Sequence, residues 1–411
     1  MPTIRNRLLT TSALAAGGLA AAAGNAAEPI KLSLGGYVTT GITVRDQDNV
    51  ATAAGADDRI YTTVNGVQTT TDLGRTDSFW EAEVFFVGET ELDNGIKIGV
   101  NIQLEAYTSA DQIDEHYVYV QGGFGRIVVG AENSAAYLMH YSAPSPTGGD
   151  FGADSPNFLP FRAPPSNGTG GSVFTFMGLT NDANKITYYT PRFAPGFQFG
   201  LSYTPDDDGP AGRQAGAAGC RGGCAFDAGN GISDNDQQNH HHFVEAGANF
   251  VRSINGIDLA FDVGFGTGFV EAQSRSNGDR TLKQRYAASA GFNVGYAGWT
   301  IGAGFLWDNQ GLQGPNNRYD MSAGVTYGAG PWVVGVNAGY AIVQDGRRVV
   351  TAAYERLSND TLLYLEVGGS YTLGPGIKAF TALNYADYGG NGTATEESTG
   401  IAWSTGIQLS F

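Results

Sequence analysis

From Ile401 to Phe411 every second residue is apolar, aromatic or a small threonine, and the alternates are Ala, Ser, Gly, Gln and Ser. Alternation of period two is the mark of a strand with one apolar and one polar face. The same pattern recurs through Ile96, Ile98, Val100, Ile102 and Leu104, and again through Ile257, Leu259, Phe261, Val263 and Phe265. Two further runs start at Trp299 and at Trp332. Tight turns rich in Gly, Pro and Asn separate such runs, as hairpins require. Seven stand out: Asp93–Gly95, Gly122–Gly125, Ala194–Gly196, Asn255–Gly256, Ala297–Gly298, Gly328–Gly330 and Gly374–Gly376. Seven hairpins give fourteen strands, and the runs Lys31–Arg45 and Ser398–Phe411 bring the expected number to sixteen.

The connections opposite those turns are mostly longer, at roughly 46–75, 108–111, 133–184, 205–239, 271–282, 308–318, 344–360 and 387–398. Val349–Leu357 reads as a further strand, but a single extra one would break the even count, so it is assigned to the seventh loop. Short turns on one rim and long loops on the other are the arrangement of outer-membrane barrels. A soluble sheet buries such strands equally well, and the amino terminus decides between the two. Arg5 and Arg7 precede a short run of Leu, Ala, Gly, Thr and Ser from Leu8 to Ala23, and small residues follow it to Ala27. That is the layout of a secretory signal, with cleavage expected after Ala26 or Ala27. The alternative, a membrane anchor, needs about 20 apolar residues. The expected organisation is therefore a signal peptide over 1–27 and one barrel domain over 28–411. A sixteen-stranded barrel is wide enough to hold an aqueous channel.

Composition agrees with this reading. Glycine is 61 of 411 residues, about twice the usual share, which suits twisted strands and tight turns. Removing Arg5 and Arg7 from a net charge of −17 leaves −19. So acidic a chain argues against nucleic acid as a partner and favours a lumen attractive to cations. Solvation of long acidic loops explains much of the same excess.

Four stretches carry a resemblance: Leu32–Tyr37, Gly122–Gly130, Asn184–Pro191 leading to Gly196-Phe197, and the terminal Phe411. In order and spacing the chain resembles the general bacterial porins, the trimeric diffusion channels of Gram-negative outer membranes. The resemblance implies a transmembrane antiparallel β-barrel with short periplasmic turns, long outer loops, and a third loop (133–184) folded inward to narrow the pore. It also implies a homotrimer in contact with lipid and lipopolysaccharide, passing ions and small hydrophilic solutes passively.

In such a pore, acidic residues of the third loop face basic residues on the opposite wall, and that field sorts ions. Asp150, Asp154 and Arg162 are the candidates on the loop. Strand phase turns Arg45, Lys97, Arg126, Lys185, Glu81 and Glu83 toward water on the wall. Thr187 stands where the family often has an inward basic residue, so weak cation preference is expected. The alternative is a sugar-specific channel, with Tyr37, Tyr117, Tyr119 and Tyr189 on inward phases; a structural or adhesive barrel is a third reading. Cys220 and Cys224 suit a local disulfide in an exported protein. Asp206–Asp208 and Asp234–Asp236 offer the oxygen ligands calcium takes, although neither has an EF-hand spacing and solvation is their default role. His240–His242 opens a strand, where neighbouring side chains point to opposite faces. No motif of a hydrolase or metalloprotease is present, so no catalysis and no obligatory cofactor are expected.

Overall fold

The computed structural model describes residues 29–48, 59–64, 67–72, 75–106, 113–164, 167–193, 195–206, 240–270, 283–311, 316–344, 348–350, 353–355, 359–390 and 397–411. The signal segment, Asp207, Asp208, Cys220, Cys224 and the Asp234–Asp236 run lie outside them. Sixteen strands form one closed antiparallel barrel, each paired with its neighbours in the chain. Closure is made by the first and last strands, Lys31–Gln47 and Ser398–Ser410, in register from Tyr37 opposite Ser410 to Gln47 opposite Gly400. Beyond Ser410 the Phe411 amide donates to the Gly36 carbonyl (3.1 Å), and the Gly36 amide donates to that of Phe411 (3.0 Å). The terminal aromatic thus extends the seam.

Among the described residues the turns lie at or within a residue of the expected places; that of Gly328–Gly330 sits at Gly330-Pro331, and Ala194 lies outside the described residues. Two adopt the primed geometry that matches strand twist, with positive φ at both central residues: Asn255 (+52°) with Gly256 (+81°), and Ala297 (+49°) with Gly298 (+87°). Short two-stranded hairpins occupy the first loop (Arg59–Val64 with Val67–Asp72) and the seventh (Arg348–Val350 with Ala353–Glu355). Neither joins the barrel, so Val349 stays in the seventh loop and the strand count remains even.

The apolar alternates face outward. Val263, Trp299, Ile301 and Trp403 are 60, 53, 54 and 49% exposed, whereas inward Ser404 is fully buried. Covering such side chains with lipid is worth about 1.5–3 kcal/mol each. Some inward positions are also apolar: Leu362, Tyr364, Phe380 and Tyr388 are buried. Phe161, Phe151, Ala153 and Val173, all from the segment between Ala131 and Asn184, pack against them.

Candidate functional site

The segment between strands Gly125–Ala131 and Asn184–Tyr189 begins with a single helical turn, Ala135–Leu138, capped by the Ser134 hydroxyl. From there its backbone is tied to one strand after another. Buried Glu245 accepts from Ser134 (2.9 Å) and, on the return path, from Thr180 (2.6 Å). Asp262 accepts from the Tyr141 amide (2.8 Å) and pairs with the His140 ring (2.8 Å). Glu366 accepts from Ser145 (3.0 Å), Thr147 (2.6 Å) and Asn337 (2.6 Å). Asp360 holds the Gly168 amide (2.7 Å), and Asp320 holds that of Phe174 (3.1 Å). A buried carboxylate needs several donors to offset its lost hydration, and these wall acids find theirs on the loop.

Two inward glycines make room for this attachment. A Cβ at Gly247 would stand 2.8 Å from the Ala135 carbonyl oxygen, and one at Gly339 would stand 2.5 Å from that of Ala153.

The residues expected at the constriction all lie among the described ones. Asp150 is 1% exposed and ion-paired with Lys378 (3.5 Å), whose ammonium also donates to the Thr147 carbonyl (2.6 Å). Asp154 accepts from the Ser322 hydroxyl (2.5 Å), the Thr175 amide (2.9 Å) and the Thr175 hydroxyl. Burial pushes its carboxyl above the usual range, partly opposed by those donors. Lys185 is buried and donates to the carbonyls of Glu132, Asn181 and Ala183 at the root of the loop. Beside it the Glu115 and Glu132 carboxyls are both raised, by burial first and, for Glu115, by Glu132 second. Arg45 donates to the Pro160 carbonyl (3.0 Å). Gln47 brackets Arg162 by donating to its carbonyl (2.8 Å) and accepting from its amide (3.0 Å), and the Arg162 side chain is left exposed.

Glu81 and Glu83 flank the Tyr37 hydroxyl at 2.8 Å each; its single proton serves one of them at a time. Glu83, Glu105 and Asp114 bring one carboxylate oxygen each within 4.8 Å of the others. All of these acids are half-buried and open to water, unlike the sealed Glu245 and Glu366. Lys97 pairs with Glu89 (3.1 Å). Tyr119 donates to the same carboxylate (2.5 Å), and Arg126 stands 4.3 Å from the Tyr119 ring centre. Three of the inward tyrosines are thus hydrogen-bonded into the wall: Tyr37 to glutamates, Tyr119 to Glu89, and Tyr117 from Asn101 (3.0 Å). Thr187 pairs with Ser202 (2.7 Å).

Sequence reasoning missed Lys378 and the wall acids Glu245, Asp262, Asp320, Asp360 and Glu366. The available signal was the inward apolar phase of Leu362, Tyr364, Phe380 and Tyr388. In a water-filled barrel such residues announce that something lies over them.

A sequence model of the family described as Gram-negative porin matches residues 10–392. No curated protein matches. Among solved structures, a refined porin aligns with 13% identity and a TM-score of 0.52, over 93% of this chain and all of its own. OmpT of Vibrio cholerae, folded in vitro, aligns with 11% identity and a TM-score of 0.52, over 92% and 98%. At these identities the structures speak for the fold.

Proposed function

Because this chain belongs to the Gram-negative porin family and forms a passive diffusion channel of the outer membrane, we propose that the wall left uncovered by the third loop sets its ion preference. The observation carrying this reading is the division of the acidic residues into two sets. Glu245, Asp262, Asp320, Asp360 and Glu366 are engaged with loop hydroxyls and amides. Glu81, Glu83 and Glu105, on strands Thr76–Glu91 and Lys97–Glu105, remain half-open to water. Lys97 is paired with Glu89, and Arg126 lies over the Tyr119 ring whose hydroxyl donates to Glu89, so the field on this side is negative and favours cations. In this reading the third loop folds inward as the constriction. Asp150 and Asp154 hold it in place, and Arg45 and Arg162 stand at its tip.

Replacing Glu81, Glu83 and Glu105 together by glutamine tests the reading. The reversal potential under a salt gradient is expected to move toward zero while the channel still conducts. An unmoved reversal potential would refute it. Cleavage after Ala26 or Ala27 and assembly as a homotrimer belong to the same proposal. Sequencing of the mature amino terminus and native mass measurement in detergent check them.

A further inference from the structure

Where the loop tip meets the first two strands lies a hollow of about 180 Å³, lined by Thr43, Arg45, Asp77, Phe79, Asn157 and Phe158 among others. Its floor is aromatic. Phe79 lies 4.5 Å from Phe158 and 5.1 Å from Phe151, ring centre to ring centre, and these pack on Phe380. Phe151 and Phe380 are sealed, but Phe79 and Phe158 are only partly buried and the adjoining Leu159 is 42% exposed. Outward aromatics of this barrel are covered by lipid; these turn inward, where only water meets them at a cost of about 25 cal/mol per Å². The rim is polar and carries both signs: the Arg45 guanidinium, the exposed Asp77 carboxylate, the Asn157 amide and the Thr43 hydroxyl.

We propose that this hollow is a binding station for a single sugar ring at the loop tip. Three features select that class. The volume is below the roughly 300–1,000 Å³ of sites for drug-sized ligands, so one ring fits and a chain does not. A pyranose presents an apolar C–H face, which aromatic surface covers, and a girdle of hydroxyls that both donate and accept. Opposite charges on one rim disfavour a solute of either net charge, whereas a neutral polyol finds an acceptor in Asp77 and donors in Arg45 and Asn157. The proposal rests on the channel reading, since the ring arrives through the lumen.

Single-channel recording with D-glucose, and with the acyclic polyol D-sorbitol as control, tests it. Glucose is expected to interrupt the current at concentrations where sorbitol does not. Asp77→Asn, at an exposed position, keeps an acceptor but removes its charge, and is expected to weaken the glucose effect by up to about tenfold. Phe158→Ala is expected to remove it. Conducting channels that respond equally to both polyols, or that keep the glucose response in both variants, overturn the station and leave the porin intact. Interruption by a zwitterion such as phenylalanine in place of glucose overturns the sugar assignment. Absence of any conductance overturns the channel reading itself.

Discussion

Lys378 shows how much a single inward residue decides. It is nearly buried, and its ammonium serves both Asp150 and the Thr147 carbonyl. Replacing it by methionine leaves the Asp150 carboxylate buried without its cation, a loss of about 3–5 kcal/mol. The denaturant midpoint of Lys378→Met is expected to fall accordingly, and the added change Asp150→Asn to recover part of it. Equal midpoints for wild type and Lys378→Met would show that the pair contributes nothing. Asp154 gives a prediction of opposite character. Its carboxyl is raised by burial, so the folded loop holds that proton more tightly than the unfolded chain does. The contribution is complete below the ordinary carboxylate range and is lost as pH rises through the folded value. Open-channel noise is therefore expected to grow with pH, and Asp154→Asn to flatten that dependence. Noise that falls as pH rises would contradict the assignment.

At the scale of elements, strands and turns were legible in the sequence, and the course of the third loop was not. Period-two alternation and primed turns are local: Asn255-Gly256 and Ala297-Gly298 carry their geometry in two residues. The loop is fixed by contacts far apart in sequence, such as Thr147 with Glu366 and Asn384 with the Phe151 carbonyl. No local pattern encodes such pairings. Asp150 and Asp154 were legible as loop acids, but their engagement with Lys378 and Ser322 was not, because those partners come from distant strands. Glu366 carries no local signature of its role, because its partners Ser145 and Thr147 lie on the distant loop. The groove for the loop can be tested directly. A valine at Gly339 suits a strand but drives its Cβ against the Ala153 carbonyl oxygen and the Val173 side chain. Overpacking of this kind costs about 1–3 kcal/mol. The barrel is expected to form with its loop displaced, raising single-channel conductance. A normally folded Gly339→Val barrel of unchanged conductance would show that the loop does not narrow the pore.

Over the whole molecule, lipid and water divide the chain into two faces, and the third loop divides the inner face again. One part of the wall binds the loop through sealed carboxylates; the other keeps Glu81, Glu83 and Glu105 in contact with water. The formal charge of −17 does not by itself describe the lumen, because inward acids such as Glu245, Asp262, Asp320, Asp360 and Glu366 are engaged in holding the loop. In the proposed reading the balance on the open wall decides, with Glu81, Glu83 and Glu105 set against Lys97 and Arg126. The most direct measurement is the reversal potential of the refolded wild-type protein in a planar bilayer under a potassium chloride gradient. A cation-signed potential with stepwise conductance is predicted. An anion-signed potential would contradict the account and transfer control to Arg45 and Arg162 at the loop tip.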